Sequence, residues 1–355
     1  MKQIKSFVLV AFAIVTSFMF SVPADIVSAQ SASLSIAPRK DYVTDPGETI
    51  KDTLLIRNLD ETDDLELTLR VVDFTYTEDG GTPKLFLDPD AAQTTWSLKP
   101  FLKVPNSVKV PVKGTKSVPI TLSVPEGQGA GSFYSAIIYS TGAPGGGNVG
   151  LSASGVTLVF SQVPGKVNEN LQLKKLGAYD AIAALADDDD GYRFLNFLEP
   201  LNIGYTLKNS GNVVEAPVGT IKLQHMFGQE TSITNINPTK SLALIGQTRT
   251  FTACIKLKSQ EVDFSGEKSE ATNCVPPGLW PGHYNVSIEA YYGQNGNNTQ
   301  EVIGTASFWY LPPWFLFLIA VLLLIIAFYV WKIKRSLDRR KRRAGVKFNK
   351  SRGRK

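Results

Sequence analysis

Two histidines and two cysteines in 355 residues leave little room for metal or thiol chemistry. His225 and His283 lie far apart, and neither makes a ligand spacing with Cys254 or Cys274, so no metal site is expected. The chain has no HExxH and no GxSxG, and no Cys–His arrangement remains once the cysteines are paired with each other. GGGNVG puts Gly145, Gly147 and Gly150 in a dinucleotide-like spacing after the strand-like SAIIYS. LSASGVTLVF follows, and it reads as a strand, so the helix N-terminus that would hold a pyrophosphate is missing. No cofactor is expected. DDDDG, Asp187 to Gly191, fails as an EF-hand loop. With Gly191 at the sixth place, Ala186 and Phe197 stand where Asp and Glu are needed. A looser extracellular calcium site at Asp187 to Asp190 stays open.

Long apolar runs are also scarce, and the two that occur set the topology. Leu311 to Trp331 carries no charge over twenty-one residues, about 30 Å of helix at about 1.5 Å per residue, enough to cross a bilayer core. Trp309, Tyr310 and Trp314 stand at one end and Tyr329 and Trp331 at the other, in the manner of interfacial aromatic belts. Residues 332–355 hold thirteen Lys or Arg against one Asp, which predicts a cytoplasmic tail and an extracellular remainder. Met1 to Ala29 reads as a signal peptide. Lys2 and Lys5 precede the apolar SFVLVAFAIVTSFMF, and Val27 and Ala29 suit a cleavage site before Gln30.

That topology redistributes the net charge of +5: the tail carries +12 and the signal +1, which leaves −8 for everything between. The basic charge is confined to the tail, where anionic lipid is the expected contact, and no nucleic-acid partner is expected.

The segment between signal and span is too long for one ordinary domain and is all-β in texture. ETIKDTLLIRN, LELTLRVVDFTYT, SVPITLSVP, SFYSAIIYS and SGVTLVFSQVPG alternate apolar with polar residues and are separated by turn formers. The pattern restarts near Leu171 and recurs in LNIGYTLKN, VGTIKLQHM, TRTFTACIKL, HYNVSIEAYYG and GTASFWY. Both halves contain a strand, an Asn-rich turn and a second strand: LLIRNLDETDDLELTLRV, then GYTLKNSGNVVEAPVGTIKL. The expected architecture is two immunoglobulin-like sandwiches, residues 30–168 and 169–308, then a transmembrane helix over 311–331 and a tail over 332–355. Cys254 and Cys274 flank the polar insertion IKLKSQEVDFSGEKSEATN. A disulfide closing a loop there stabilises by about 3 kcal/mol, and two free thiols are the other reading.

LSIAPRKDYVTDPGETIKDTLLIRNLDETDDLELTLRVVDFTYTEDGG, VPEGQGAGSFYSAIIYST and GVTLVFSQVPG together resemble the N-terminal domain of bacterial WxL-interacting cell-surface proteins. In that resemblance Pro125, Gly131 and Tyr134 carry the step into the penultimate strand. LKNSGNVVEAPVGTIKLQHMFGQ, LWPGHYNVSIEAYYG and FWYLPPW look like the second extracellular domain of the same proteins. The resemblance implies a membrane-anchored, non-enzymatic surface protein whose ectodomain binds peptidoglycan or partner surface proteins, and it places no ligand contact on any residue here. Two alternatives stay open. One is a fimbrial-chaperone-like module that binds subunits by strand addition. The other is a wall hydrolase with an unrecognised carboxylate pair. LPPWF begins like a sortase signal, but Trp314 and Phe315 stand where Thr and Gly are needed.

Overall fold

The computed structural model describes residues 34–352 apart from 78–80, 89, 91, 142–151, 186–189, 265–266 and 294–298. The expected signal peptide therefore lies outside the described residues, as do GGGNVG and Asp187 to Asp189. The described chain is mostly β-strand, arranged as two immunoglobulin-like sandwiches with one apolar helix after them.

The first sandwich contains β1 (Leu34–Ile36), β2 (Arg39–Val43), β3 (Thr49–Asn58), β4 (Leu65–Val72), β5 (Phe74–Tyr76) and β6 (Pro83–Leu85). It continues with β7 (Leu102–Lys103), β8 (Ser107–Val110), β9 (Thr115–Ser123), β10 (Gly131–Thr141) and β11 (Ser152–Val163). Two sheets, β1-β3-β9-β7 and β2-β11-β10-β4-β8, face each other, and β5 and β6 form a small hairpin. Alternation builds the core: on β9, Val118, Ile120 and Leu122 are buried between less buried neighbours. LELTLRVVDFTYT divides into β4 and β5 at Asp73. Its buried side chain accepts hydrogen bonds from Ser97 Oγ (2.6 Å), Ser135 Oγ (3.0 Å) and the Thr94 N–H and hydroxyl (3.2 Å each).

The second sandwich begins at β12 (Leu171–Tyr179) and continues with β13 (Leu195–Asn196), β14 (Asn202–Asn209), β15 (Val218–His225) and β16 (Glu230–Ile233). Its remaining strands are β17 (Thr248–Cys254), β18 (Leu257–Phe264), β19 (Glu267–Cys274), β20 (Gly282–Tyr292) and β21 (Gln300–Tyr310). The sheets are β12-β14-β17 and β13-β21-β20-β15-β16. Cys254 and Cys274 are disulfide-bonded. The insertion between them, expected as a loop, is instead an antiparallel ribbon in which β18 pairs with β19 from Leu257↔Cys274 to Phe264↔Glu267. Its ladder of backbone hydrogen bonds does not need an apolar face, which is why hydropathy did not reveal it.

The Asn-rich turns of the two halves use one device. Asn58 Oδ1 accepts the N–H of Asp60 (2.9 Å) while its Nδ2 donates to the Asp63 carbonyl (2.8 Å). Asn209 Oδ1 accepts the N–H of Gly211 (2.9 Å), and its Nδ2 donates to the carbonyls of Val213 (2.7 Å) and Ala243 (2.9 Å). Both asparagines are fully buried, so each ties a strand end to its turn where water cannot.

Two boundaries differ from expectation. β21 runs past residue 308 to Tyr310, in unbroken register with β20 and with Phe308 fully buried. The helix α1 (Pro313–Arg352) starts two residues later than expected. Leu311, just past the strand, still donates its N–H to Asn196 O (2.8 Å), and Pro313 supplies the helical φ at the first turn. α1 continues as helix through most of the basic tail. Its first part, Pro313–Arg339, is a candidate membrane span with a mean hydropathy of 2.8 over its apolar window.

Candidate binding cleft between the two sandwiches

The described strands of the first sandwich end at Val163 and those of the second begin at Leu171. The two sandwiches share a core. β10 is buried along both faces: Phe133, Ile137 and Tyr139 point into the first sandwich, while Tyr134, Ala136 and Ile138 point to a separate apolar cluster. That second cluster joins Val72, Phe74 and Phe160 of the first sandwich to Leu242 and Leu244 of the second, with Val214 and Ala216 packed alongside. Tyr134 sits at its centre, its ring 5.3 Å from Phe74, 5.6 Å from Phe160 and 6.0 Å from Trp96. Burying each such side chain contributes about 1.5–3 kcal/mol, so the junction is held as a core rather than as a loose contact. SFYSAIIYS, read above as alternating, is thus a strand buried on both sides.

Polar bonds fix the register of the junction. Ser132 donates its N–H to Asn212 O (2.9 Å), Asn212 Nδ2 donates to Ala130 O (3.0 Å), and Val214 donates its N–H to Ser132 Oγ (3.1 Å). Gly131, with φ +152°, is required here, because a Cβ would lie 2.8 Å from Asn212 O. On the far side, Gln247 Nε2 donates to Tyr76 O (2.7 Å), and the Arg249 guanidinium lies over the Tyr76 ring at 5.1 Å.

Beside this junction opens a cleft of about 230 Å³ between β2, the end of β11 and Val214. Arg39 stacks over Phe160 at 4.6 Å and is held by Asp41 through Nε–Oδ2 (2.8 Å) and Nη2–Oδ1 (2.6 Å) contacts. On the inner face of β2, Lys40 Nζ (2.8 Å) and Tyr42 OH (2.7 Å) both donate to Asp52 Oδ2 across the sandwich. Those bonds, the Lys40 one foremost, hold the Asp52 carboxyl down at about 2, and burial with the Asp52 bond raises the Tyr42 phenol. Among the described residues β2 is the last strand of its sheet and pairs only with β11, in parallel. Thr44 donates its N–H to Gln162 O and Leu158 donates to Pro38 O, so the even-numbered residues face β11. The odd ones, Arg39, Asp41 and Val43, turn their backbone groups to the open edge.

The candidate residues taken from sequence fall elsewhere. His225 is buried, its Nε2 3.4 Å from Pro281 O, and His283 packs on Trp309 at 5.1 Å. Asp190, the described member of the acidic run, pairs with Lys175 Nζ at 2.5 Å. Among the described residues no group of three or more His, Cys, Asp or Glu could hold a metal ion. The cleft is one that sequence reading missed. Its components come from β2, β10, β11 and the loop after β14, and only RKDYV, three charged residues at a strand start, marks it in the sequence.

No family model matches the chain, and no curated protein matches it. Solved structures do resemble it. The class 5 fimbriae chaperone CfaA is 13% identical, with 77% of this chain and 98% of that chain covered at a TM-score of 0.33. The E. coli chaperone DraB is 13% identical over 77% and 96% of the two chains, with a TM-score of 0.31. The Pseudomonas aeruginosa CupB2 chaperone is 12% identical over 75% and 96%, with a TM-score of 0.28.

Proposed function

We propose that this chain is a non-enzymatic, single-pass surface protein of the WxL-interacting kind, with its ectodomain outside, its basic tail inside, and a partner surface protein or the cell wall bound through the two-domain ectodomain. The observation that carries the reading is the open edge of β2 beside the cleft, mounted on two sandwiches that share a core. A shared core fixes the angle between the sandwiches, so the cleft is pre-formed and pays little ordering cost on binding. Arg39 is already neutralised by Asp41 and stacked on Phe160, which suits recognition of an extended polar segment better than attack on one.

Within this reading, strand addition along β2 is the favoured mode, because the edge offers the backbone groups of Arg39, Asp41 and Val43. The test is capture by the ectodomain ending at Tyr310, presented with purified cell wall and with solubilised surface proteins. Retention without product release supports the binding reading, and release of wall fragments defeats it. Asp41→Pro removes one outward N–H and leaves the bonds to β11 alone. Loss of protein capture in that variant is the result expected of strand addition.

A further inference from the structure

Among the described residues outside α1, every exposed Phe and Trp lies at one end of the second sandwich: Phe194, Phe197, Phe227 and Trp280. Exposed Leu198 and Ile182 join them. Of the other exposed large apolar side chains described on that sandwich, Leu195 and Met226 adjoin this rim, Leu257 starts the β18–β19 ribbon and Ile303 lies on β21.

The position of this rim along the helix axis follows from the strand register. β13 runs parallel to β21, with Leu195 opposite Trp309 and Asn196 opposite Tyr310. Trp309 donates its N–H to Phe194 O (2.7 Å), and Leu311 donates to Asn196 O (2.8 Å). Phe197 and Leu198 follow β13 directly, in a bend that begins beside Tyr310 and Leu311 at the threshold of α1. On another side of the helix, Phe227 and Trp280 line one hollow of about 620 Å³ together with Trp314, Phe315 and Leu318, so they stand level with the first turns of α1. Phe227 is 82% exposed, Leu198 83% and Trp280 65%.

The span leaves no room to lift this rim into water. Leu311 to Trp331 matches the hydrocarbon thickness of about 30 Å, so its first residues must lie at the boundary of the bilayer. No flexible segment separates strand from helix: Tyr310 is paired, Leu311 is bonded, and Pro312 accepts the N–H of Phe315 at 2.9 Å. Side chains level with Leu311 to Leu318 are therefore carried into the headgroup layer, where aromatic rings partition favourably.

We infer that the helix-proximal end of the second sandwich is a bilayer-docking surface, with Phe197, Leu198, Phe227 and Trp280 seated among the lipid headgroups around the entry of α1. The inference rests on α1 spanning a membrane. Docking by several apolar side chains around one anchored helix resists tilting, because each direction of tilt pulls one part of the rim out of lipid.

Depth-dependent fluorescence on the full chain in phosphatidylcholine–phosphatidylglycerol vesicles tests it. Subtracting spectra of the Trp280→Phe, Trp314→Phe and Trp331→Phe variants from the unaltered chain isolates each indole. With lipids brominated near the glycerol end of the acyl chain, the Trp280 component should lose most of its intensity while aqueous iodide leaves it unchanged. If Trp314 and Trp331 are quenched by brominated lipid but Trp280 responds to iodide, the docking surface is wrong and the span stands. If Trp280 answers to neither quencher, protein covers the rim and lipid docking is wrong. If none of the three responds to brominated lipid, the membrane span itself fails, and this inference with it.

Discussion

β10 and β20 are the same strand of two related sandwiches, and they differ in what covers their outer faces. Each starts at a glycine with φ near +150°, Gly131 and Gly282. Each pairs with the last strand of its sandwich in a long antiparallel register. β20 alternates, with buried Tyr284, Val286, Ile288 and Ala290 set between more exposed His283, Asn285, Ser287 and Glu289. β10 is buried at each of its first ten positions. The difference shows that a sandwich strand becomes apolar on both faces where a second domain docks, and the composition of one strand therefore records the presence of its neighbour.

The largest effect should come from the doubly buried strand. Ile138→Ala opens a cavity in the shared cluster and should cost about 2–5 kcal/mol, with the single calorimetric unfolding peak splitting into two as the sandwiches uncouple. Glu289→Ala, on the solvated face of β20, should change stability by less than about 0.5 kcal/mol. A split peak in both variants, or in neither, breaks the comparison.

In the Ile138→Ala background, where the sandwiches melt apart, replacing Cys254 and Cys274 together by serine should lower only the second sandwich's transition, by about 2–4 kcal/mol, since the first sandwich has no cross-link. Non-reducing peptide mapping of the purified chain should recover the two cysteines in one linked fragment. Asn58→Ala and Asn209→Ala sharpen the likeness rather than the difference. Each strips its turn of side-chain bonds and strands buried backbone groups, so each should cost about 1–3 kcal/mol in urea unfolding. Unequal losses would show that the shared turn is a likeness of shape only.

The last comparison concerns pH, and it has opposite signs in the two halves. Burial, with the Glu169 charge adding to it, pushes the Glu215 carboxyl up from its ordinary 4.5 to about 8. A raised carboxyl holds its proton in the folded state while the unfolded chain releases it. Its contribution is complete below about 4.5 and is lost as pH rises through about 8. Asp52 is lowered from 3.8 to about 2 by Lys40 first and Tyr42 second, so its contribution is present above about 3.8 and lost as pH falls through about 2. Thermal melts across this range should show alkaline weakening that Glu215→Gln abolishes and acid weakening that Asp52→Asn abolishes. A Glu215→Gln variant that still weakens in alkali would place the titration elsewhere.

What could be read in the sequence follows from how local each signal is. α1 was legible because an uncharged run needs no partner to be recognised, although its start was set by a bond from Leu311 to distant Asn196. Most sandwich strands were legible from alternation, which reports one buried face. The outer face of β10, the parallel pairing of β13 with β21 and the cleft at Arg39 all depend on residues far apart in the chain, and periodicity carries no record of them. The β18–β19 ribbon failed for the opposite reason: its backbone bonds are local, but its mostly polar sequence reads as a loop.

On the proposed topology, the direct join of β21 to α1 changes what the two sandwiches can encounter. A domain on a flexible tether samples a volume, and its partners feel an effective concentration that falls smoothly with the length of the tether. Here Tyr310 ends the strand and Pro313 opens the helix, so on the proposed topology the β2 edge would be carried at one height above the bilayer. Its encounters become a matter of reach: a partner anchored at the matching height meets it at high local concentration, and one anchored shorter or longer is excluded however well its surface fits.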